Sequence, residues 1–187
     1  YKVEFAAGSI KDSASNQYAG TTSYNVTTGA APDTTAPTVT TFSPADEATA
    51  VAIGANIVVT FSEAVQRGTG NIVLKTAAGV TVATYDAATS TNLSISSNTL
   101  TINPSSDLGY STAYKVEFAA GSIKDSASNN YAGTTSYNFT TAAPPDTTAP
   151  TVTTFSPADE ATTVAIGANI IVTFNETVQR GTGNIVL

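Results

Sequence analysis

Residues 1–74 return as residues 114–187 with eight differences, so the chain carries an internal repeat with a period of 113 residues. Gln17/Asn130, Val26/Phe139, Ala31/Pro144, Val58/Ile171 and Ser62/Asn175 are among the exchanged pairs. Solenoid repeats recur every 20–50 residues, whereas a period this long is one whole domain. Residues 75–113 occur once. The chain therefore reads as a stretch of an array of near-identical modules, one complete and one partial on each side. Function has to be argued for the array.

Period-2 alternation of β-branched and aromatic residues recurs between Gly, Pro, Asn, Asp and Ser clusters, and no segment sustains a helical period. Seven strands are predicted in the complete module. Strand A is Thr38–Phe42, stopped by Ser43-Pro44, and B is Asn56–Phe61, with Ile57, Val59 and Phe61 on one face. C is Asn71–Thr76; D is Val80–Tyr85, continuing after a break to Ile95. The turn Ser96-Ser97-Asn98 leads into E, Thr99–Asn103. F is Ala113–Ala119, with Tyr114, Val116 and Phe118 inward; G is Thr134–Thr140, with Tyr137 and Phe139 sharing a face. Seven short strands at this spacing predict an all-β, immunoglobulin-like antiparallel sandwich.

Pro32-Asp-Thr-Thr-Ala-Pro37 recurs as Pro145-Asp-Thr-Thr-Ala-Pro150 and marks the joint between modules. Proline extends and stiffens such a linker. With this phase, residues 1–31 are strands F and G of a preceding repeat, and residues 32–145 are one complete repeat with its linker. Residues 146–187 are strands A to C of the following repeat.

Composition closes off several classes. The net charge of −7 leaves no basic patch to neutralise phosphates, so nucleic acid is not an expected partner. No apolar run approaches the roughly 18–20 residues of a membrane span, and no membrane insertion is expected in this segment. Cysteine and histidine are both absent, which removes disulfides, thiolate metal sites, Cys nucleophiles and His-based triads. Paired carboxylates remain as a glycosidase-type option, but nothing marks a cleft. The chain is expected not to be an enzyme.

The order Asp33-Thr-Thr-Ala-Pro, Phe42-Ser-Pro-Ala-Asp46, Val59-Thr-Phe-Ser-Glu63, Leu100-Thr-Ile-Asn-Pro104 and Gly121-Ser-Ile-Lys-Asp125-Ser-Ala-Ser-Asn129 resembles the bacterial Ig-like repeats of S-layer proteins and giant repetitive surface adhesins, including those with RTX sections. Leu108 followed six residues later by Tyr114 is similar to the E–F corner tyrosine of fibronectin III-like folds. The resemblance spans essentially the whole chain. It implies an extracellular spacer or adhesive array on a bacterial cell surface, often calcium-stiffened. Ser126-Ala-Ser-Asn129 departs from the Ala-Gly-Asn that many relatives carry.

Most acidic residues fall in loops or linkers rather than on strands. Strand parity sends Asp46, Glu47 and Asp107 to one pole of the sandwich. Glu63 and Asp125 go to the other, beside Asp33. End-to-end stacking would carry the first set towards Asp146, Glu176 and the F–G loop of the next module, with Asp12 the F–G acid of the preceding one. Clustered carboxylates repel unless a cation joins them, and Ca²⁺ takes six to eight oxygens in flexible geometry. Calcium is the expected ion, with Asp33/Asp146, Glu63/Glu176 and Asp12/Asp125 the foremost ligands. Solvated turn acids are the plain alternative, and no EF-hand or RTX spacing is present.

Two functions fit these readings. In the first, the module is a spacer that touches neighbouring repeats end to end, extends an adhesin, S-layer or filament, and can self-assemble into a filament or layer. In the second, apical loops bind a glycan or a cell-surface protein receptor. Stacking platforms need exposed aromatics; Tyr18/Tyr131 and Tyr110 are the candidates. Gly68-Thr-Gly70 lacks a phosphate-binding fingerprint and reads as a loop former, and Lys115 and Glu117, both outward on F, read as residues that pair across strands on an exposed face.

Overall fold

The computed structural model describes residues 1–186 and divides into two compact units, Tyr1–Ala143 and Pro144–Leu187. The first opens with a hairpin, β1 (Lys2–Phe5) and β2 (Thr21–Asn25). After the linker come β3 (Val39–Ser43), β4 (Ala48–Val51), β5 (Ile57–Phe61), β6 (Val65–Arg67) and β7 (Asn71–Thr76). They are followed by β8 (Thr81–Asp86), β9 (Leu93–Ser96), β10 (Thr99–Ile102), β11 (Ala113–Phe118), β12 (Ile123–Asp125) and β13 (Thr134–Thr141). The second unit holds β14 (Val152–Ser156) and β15 (Ile171–Phe174).

Residues 33–143 form the expected all-β sandwich. One sheet has the order β3-β5-β10-β9 and the other β4-β13-β11-β7-β8, with a two-stranded ribbon β12-β6. All pairings are antiparallel except β13 with β4. The core is built from alternating positions: Ile57, Val59 and Phe61 of β5, Leu100 and Ile102 of β10, Ile72 and Leu74 of β7, and Val116, Tyr137 and Phe139 from β11 and β13, all fully buried. Phe42 stacks on Tyr137 with ring centroids 4.0 Å apart, closing one side of the core. Aromatic pairs in contact contribute beyond the area they bury.

Three features depart from the sequence-based expectation. The region read as one strand D with a break is two strands on opposite sheets, β8 and β9. The crossing is fixed by Asp86, whose Oδ1 accepts from the Ala88 and Thr89 backbone N–H groups at 2.9 Å each. It is fixed again by Arg67, whose guanidinium donates to the carbonyls of Ala87, Ser90 and Leu93. Second, β4 lies in what reads as the A–B loop and joins the opposite sheet beside β13. Third, β6 and β12 pair where only loops were expected. Gly68 makes that ribbon possible: a Cβ there would stand 1.9 Å from the Gly121 carbonyl oxygen.

The corner tyrosine is present. Tyr114 is buried, and its hydroxyl oxygen accepts from the Gly109 backbone N–H at 2.8 Å, with Leu108 buried beside it. Replacing Tyr114 with Phe removes the acceptor, and Gly109, being exposed, can turn to water instead. Loss of such a hydrogen bond costs about 0.5–1.5 kcal/mol, and for a domain near 100 residues each kcal/mol lowers the unfolding midpoint by roughly 4–8 °C. Thermal melts of Tyr114→Phe should show that drop; an unchanged midpoint would refute the assignment.

The repeat governs local geometry in the flanking segments as well. Lys2↔Asn25, Val3↔Tyr24 and Phe5↔Thr21 pair in the hairpin, as Lys115↔Asn138, Val116↔Tyr137 and Phe118↔Thr134 do in the sandwich. Likewise β14–β15 repeats the register of β3–β5, Phe155↔Val172 matching Phe42↔Val59. The Ser62/Asn175 exchange is absorbed in place. Ser62 Oγ accepts from Thr38 N at 3.1 Å, and Asn175 Oδ1 accepts from Thr151 N at 2.7 Å.

Candidate metal centre

Three of the predicted acids converge. Asp33, Glu63 and Asp125 each present one carboxylate oxygen, and the three oxygens lie within 4.8 Å of one another. They come from three places in the chain: the linker, the loop between β5 and β6, and the end of β12. Each is set up by local sequence. Asp33 Oδ1 accepts from Thr35 N at 2.9 Å, an Asp turn that fixes the linker residue. Glu63 follows β5, whose last residue is tied to the β9–β10 turn by Phe61 N to Asn98 O and by Asn98 Nδ2 to Phe61 O.

Asp125 is the most buried of the three. Its Oδ1 accepts from Asn129 N at 2.7 Å and its Oδ2 from Asn129 Nδ2 at 2.8 Å. The same Asn129 amide donates to the Asp33 carbonyl at 3.1 Å, so one side chain joins the F–G loop to the linker. Ser128, with φ of 75°, makes the tight return of the loop.

The electrostatics of the three acids differ. Burial works to raise the Asp125 pKa, but the hydrogen bonds from the Asn129 side chain and from the loop backbone outweigh it and hold the carboxyl below its usual 3.8. Glu63 has no such donors. Desolvation, then the charges of Asp125 and Asp33, push its carboxyl above the usual 4.5. An anion facing two others, with its proton affinity raised by them, is what a bound cation would relieve. Calcium–oxygen distances of about 2.3–2.6 Å put ligands on opposite sides of one ion up to roughly 5 Å apart, so the three oxygens can share a single ion.

The remaining predicted acids lie outside this cluster. Asp46 Oδ1 accepts from Asn138 N at 2.9 Å, and Glu47 N donates to the Asn138 carbonyl at 2.8 Å, so both are used in joining β4 to β13. Asp107 sits against Gly54, 3.1 Å from where a Cβ would stand. Asp12 Oδ1 accepts from Ala14 N and Asn16 N at 2.9 and 2.8 Å, and its Oδ2 from Asn16 Nδ2 at 2.9 Å. That is the Asp125 loop again. Asp146 Oδ1 accepts from Thr148 N at 2.8 Å, as Asp33 does from Thr35. Glu176 Oε1 is buried without a hydrogen-bond partner.

Of the aromatic candidates for a stacking platform, Tyr131 is buried, edge-on to Phe61 and Phe118. Tyr110 and Tyr18 are exposed. Glu117 pairs with Lys75 across the sheet at 2.5 Å, a cross-strand contact on a half-buried rather than exposed face, and with Lys115 along its own strand at 2.7 Å.

A model of the bacterial Ig-like domain family matches residues 33–141 and again residues 146–187. Among solved structures, CopC from Methylosinus trichosporium OB3b is similar at 15% identity with a TM-score of 0.45, covering 59% of this chain and 97% of that one. A likeness at that distance bears on neither ligand nor partner. No curated protein matches significantly. Among the described residues, no helix is long and apolar enough to cross a membrane.

Proposed function

The chain belongs to the bacterial Ig-like domain family, and from that membership we propose that it is a non-catalytic spacer segment of a bacterial surface protein. Its linkers are stiffened by calcium. The 113-residue period supports the spacer reading, because near-identical modules add length without adding a new binding surface at each step. The exposed large apolar side chains of residues 33–143 are few and scattered, namely Val80, Val82 and Tyr110. That surface suits a spacer better than a glycan platform.

One observation carries the calcium reading: Asp33 belongs to the linker, while Glu63 and Asp125 belong to the pole of the sandwich. An ion held by all three would fasten the linker to the domain that follows it. The proline residues Pro32 and Pro37 flank the anchored residue and limit the bending that remains. Asp146 and Glu176 repeat two of the ligands one period later, so the same fastening would recur along an array.

Hydrogen exchange tests this locally. Calcium should slow amide exchange across residues 33–36 and 123–130 relative to EGTA, while β7 and β10 stay as they were. Identical exchange in the two buffers would sink the proposal.

A further inference from the structure

The linker is not free along its whole length. Where it enters the sandwich, Asn129 Nδ2 donates to the Asp33 carbonyl at 3.1 Å. The same nitrogen donates to Asp125 Oδ2 at 2.8 Å, and Asn129 N donates to Asp125 Oδ1 at 2.7 Å. The amide is therefore set in place by a carboxylate that is itself 1% exposed. Further along, Pro37 is buried. Thr38 N donates to Ser62 Oγ at 3.1 Å, and Ser62 N donates to the Thr38 carbonyl at 2.8 Å. From Asp33 onwards the linker belongs to the module.

The exit is held as well. Ala142 lies just past the end of β13, yet its N–H donates to the Val51 carbonyl at 2.8 Å and its carbonyl accepts from Ser111 N at 2.9 Å. Residues 143–145 are exposed, as are residues 30–32 one period earlier. Among the described residues, neither stretch makes a hydrogen bond to the sandwich.

We propose that each joint of the array bends only at the three residues between these anchors, 143–145 and 30–32, and that Asn129 is the latch that draws the rest of the linker into the module. Every bond involved joins protein to protein, so the latch stands without the proposed cation. Three residues span at most about 10 Å when fully extended. Their sequence also grades the joint. In 143–145, Pro144 and Pro145 fix two φ angles, and a residue before proline loses the helical region. In 30–32, Ala31 stands where the other joint has Pro144, and Gly29 stands where it has Ala142. That joint keeps more freedom.

Nitrogen-15 relaxation of the chain in EGTA reads these claims residue by residue, and its outcome is separate from that of calcium binding. Thr34, Thr35, Ala36 and Ala142 should show order parameters near the value of about 0.85 for rigid backbone, and Ala30, Ala31 and Ala143 values below about 0.6. Asn129→Ala should carry Thr34, Thr35 and Ala36 down to the level of Ala30 while β7 and β11 stay rigid. Asn129→Asp, which keeps the shape but replaces the donor, should do the same. Ala31→Pro should raise the order parameter of Ala30. A parent chain in which Thr34 to Ala36 move as freely as Ala30, or in which Ala143 is as rigid as Ala142, would overturn the hinge. Thr34 to Ala36 remaining rigid in both Asn129 variants would overturn the latch, and an unchanged Ala30 in Ala31→Pro would overturn the grading.

Discussion

Calcium at about one hundred times its dissociation constant is expected to raise the unfolding midpoint of the 33–143 sandwich by roughly 10 °C over EGTA. The magnitude follows from linkage: an ion that binds only the folded state at that saturation contributes about 2.7 kcal/mol, and each kcal/mol moves a domain of this size by roughly 4 °C or more. Glu63→Gln should abolish the calcium gain, and in EGTA its effect should have the opposite sign. Without the ion, Glu63 is an anion held against Asp33 and Asp125, so neutralising it raises the midpoint at pH 7.

The pH dependence follows from the direction of each shift. Glu63 has a folded pKa above its usual 4.5, so the folded state holds that proton more tightly than the unfolded chain does. Its contribution is full below that usual value and is lost as pH rises through the raised one. Acidifying the calcium-free protein from pH 7 towards the usual carboxylate value of 4.5 should therefore stabilise the parent chain relative to Glu63→Gln. Asp125 works the other way: its pKa lies below 3.8, so its contribution is present above that value and is lost as pH falls through the lowered one. A parent chain whose midpoint ignores calcium, with a Glu63→Gln variant indistinguishable from it, would remove the site.

The second large effect compares one substitution at two places with the same local sequence. Tyr24 and Tyr137 both lie in Thr-Thr-Ser-Tyr-Asn. Tyr137 is 0% exposed and Tyr24 is 56% exposed. Tyr137→Ala removes the stack on Phe42, the bond to Pro44 and a large core volume. Aromatic truncations of this kind cost about 3–5 kcal/mol. Tyr24→Ala at dilute concentration should change the main transition by less than about 0.5 kcal/mol, the ordinary range for an exposed site. Denaturant unfolding measures both. Equal losses would mean that the hairpin is packed as the sandwich is.

Some elements were legible because their pattern is local. Strand β7 falls at Asn71–Thr76, as expected, since Ile72 and Leu74 share one face of a short β-branched run bounded by the Gly68-Thr-Gly70 turn and by Gly79. The corner tyrosine was legible from Leu108 and Tyr114 alone. By contrast, Ala48-Thr-Ala-Val51 has no alternation to read, and its partner β13 lies about ninety residues away in sequence. The split of β8 from β9 was hidden because Arg67, one of the groups that fixes the crossing, sits at the end of β6, in a different part of the sequence. Nothing near Arg67 in sequence shows that its guanidinium meets three carbonyls.

The sequence by itself determined what short-range hydrogen bonds can hold. Asp12 with Asn16 and Asp125 with Asn129 build the same loop, one exposed and one packed in the sandwich. Asp33 and Asp146 make the same turn, and both copies of the hairpin keep one register. These bonds span a few residues or one tight ribbon, so the same letters give the same geometry wherever they stand. Tertiary structure decided which tyrosine is buried and which carboxylates meet. Burial requires a second sheet, and the convergence of Asp33, Glu63 and Asp125 requires a linker and two loops from separate strands. Those are properties of the assembled pole, where desolvation and the charges of Asp125 and Asp33 raise the proton affinity of Glu63. The duplicated sequence carries the parts twice, and the sandwich assembles them.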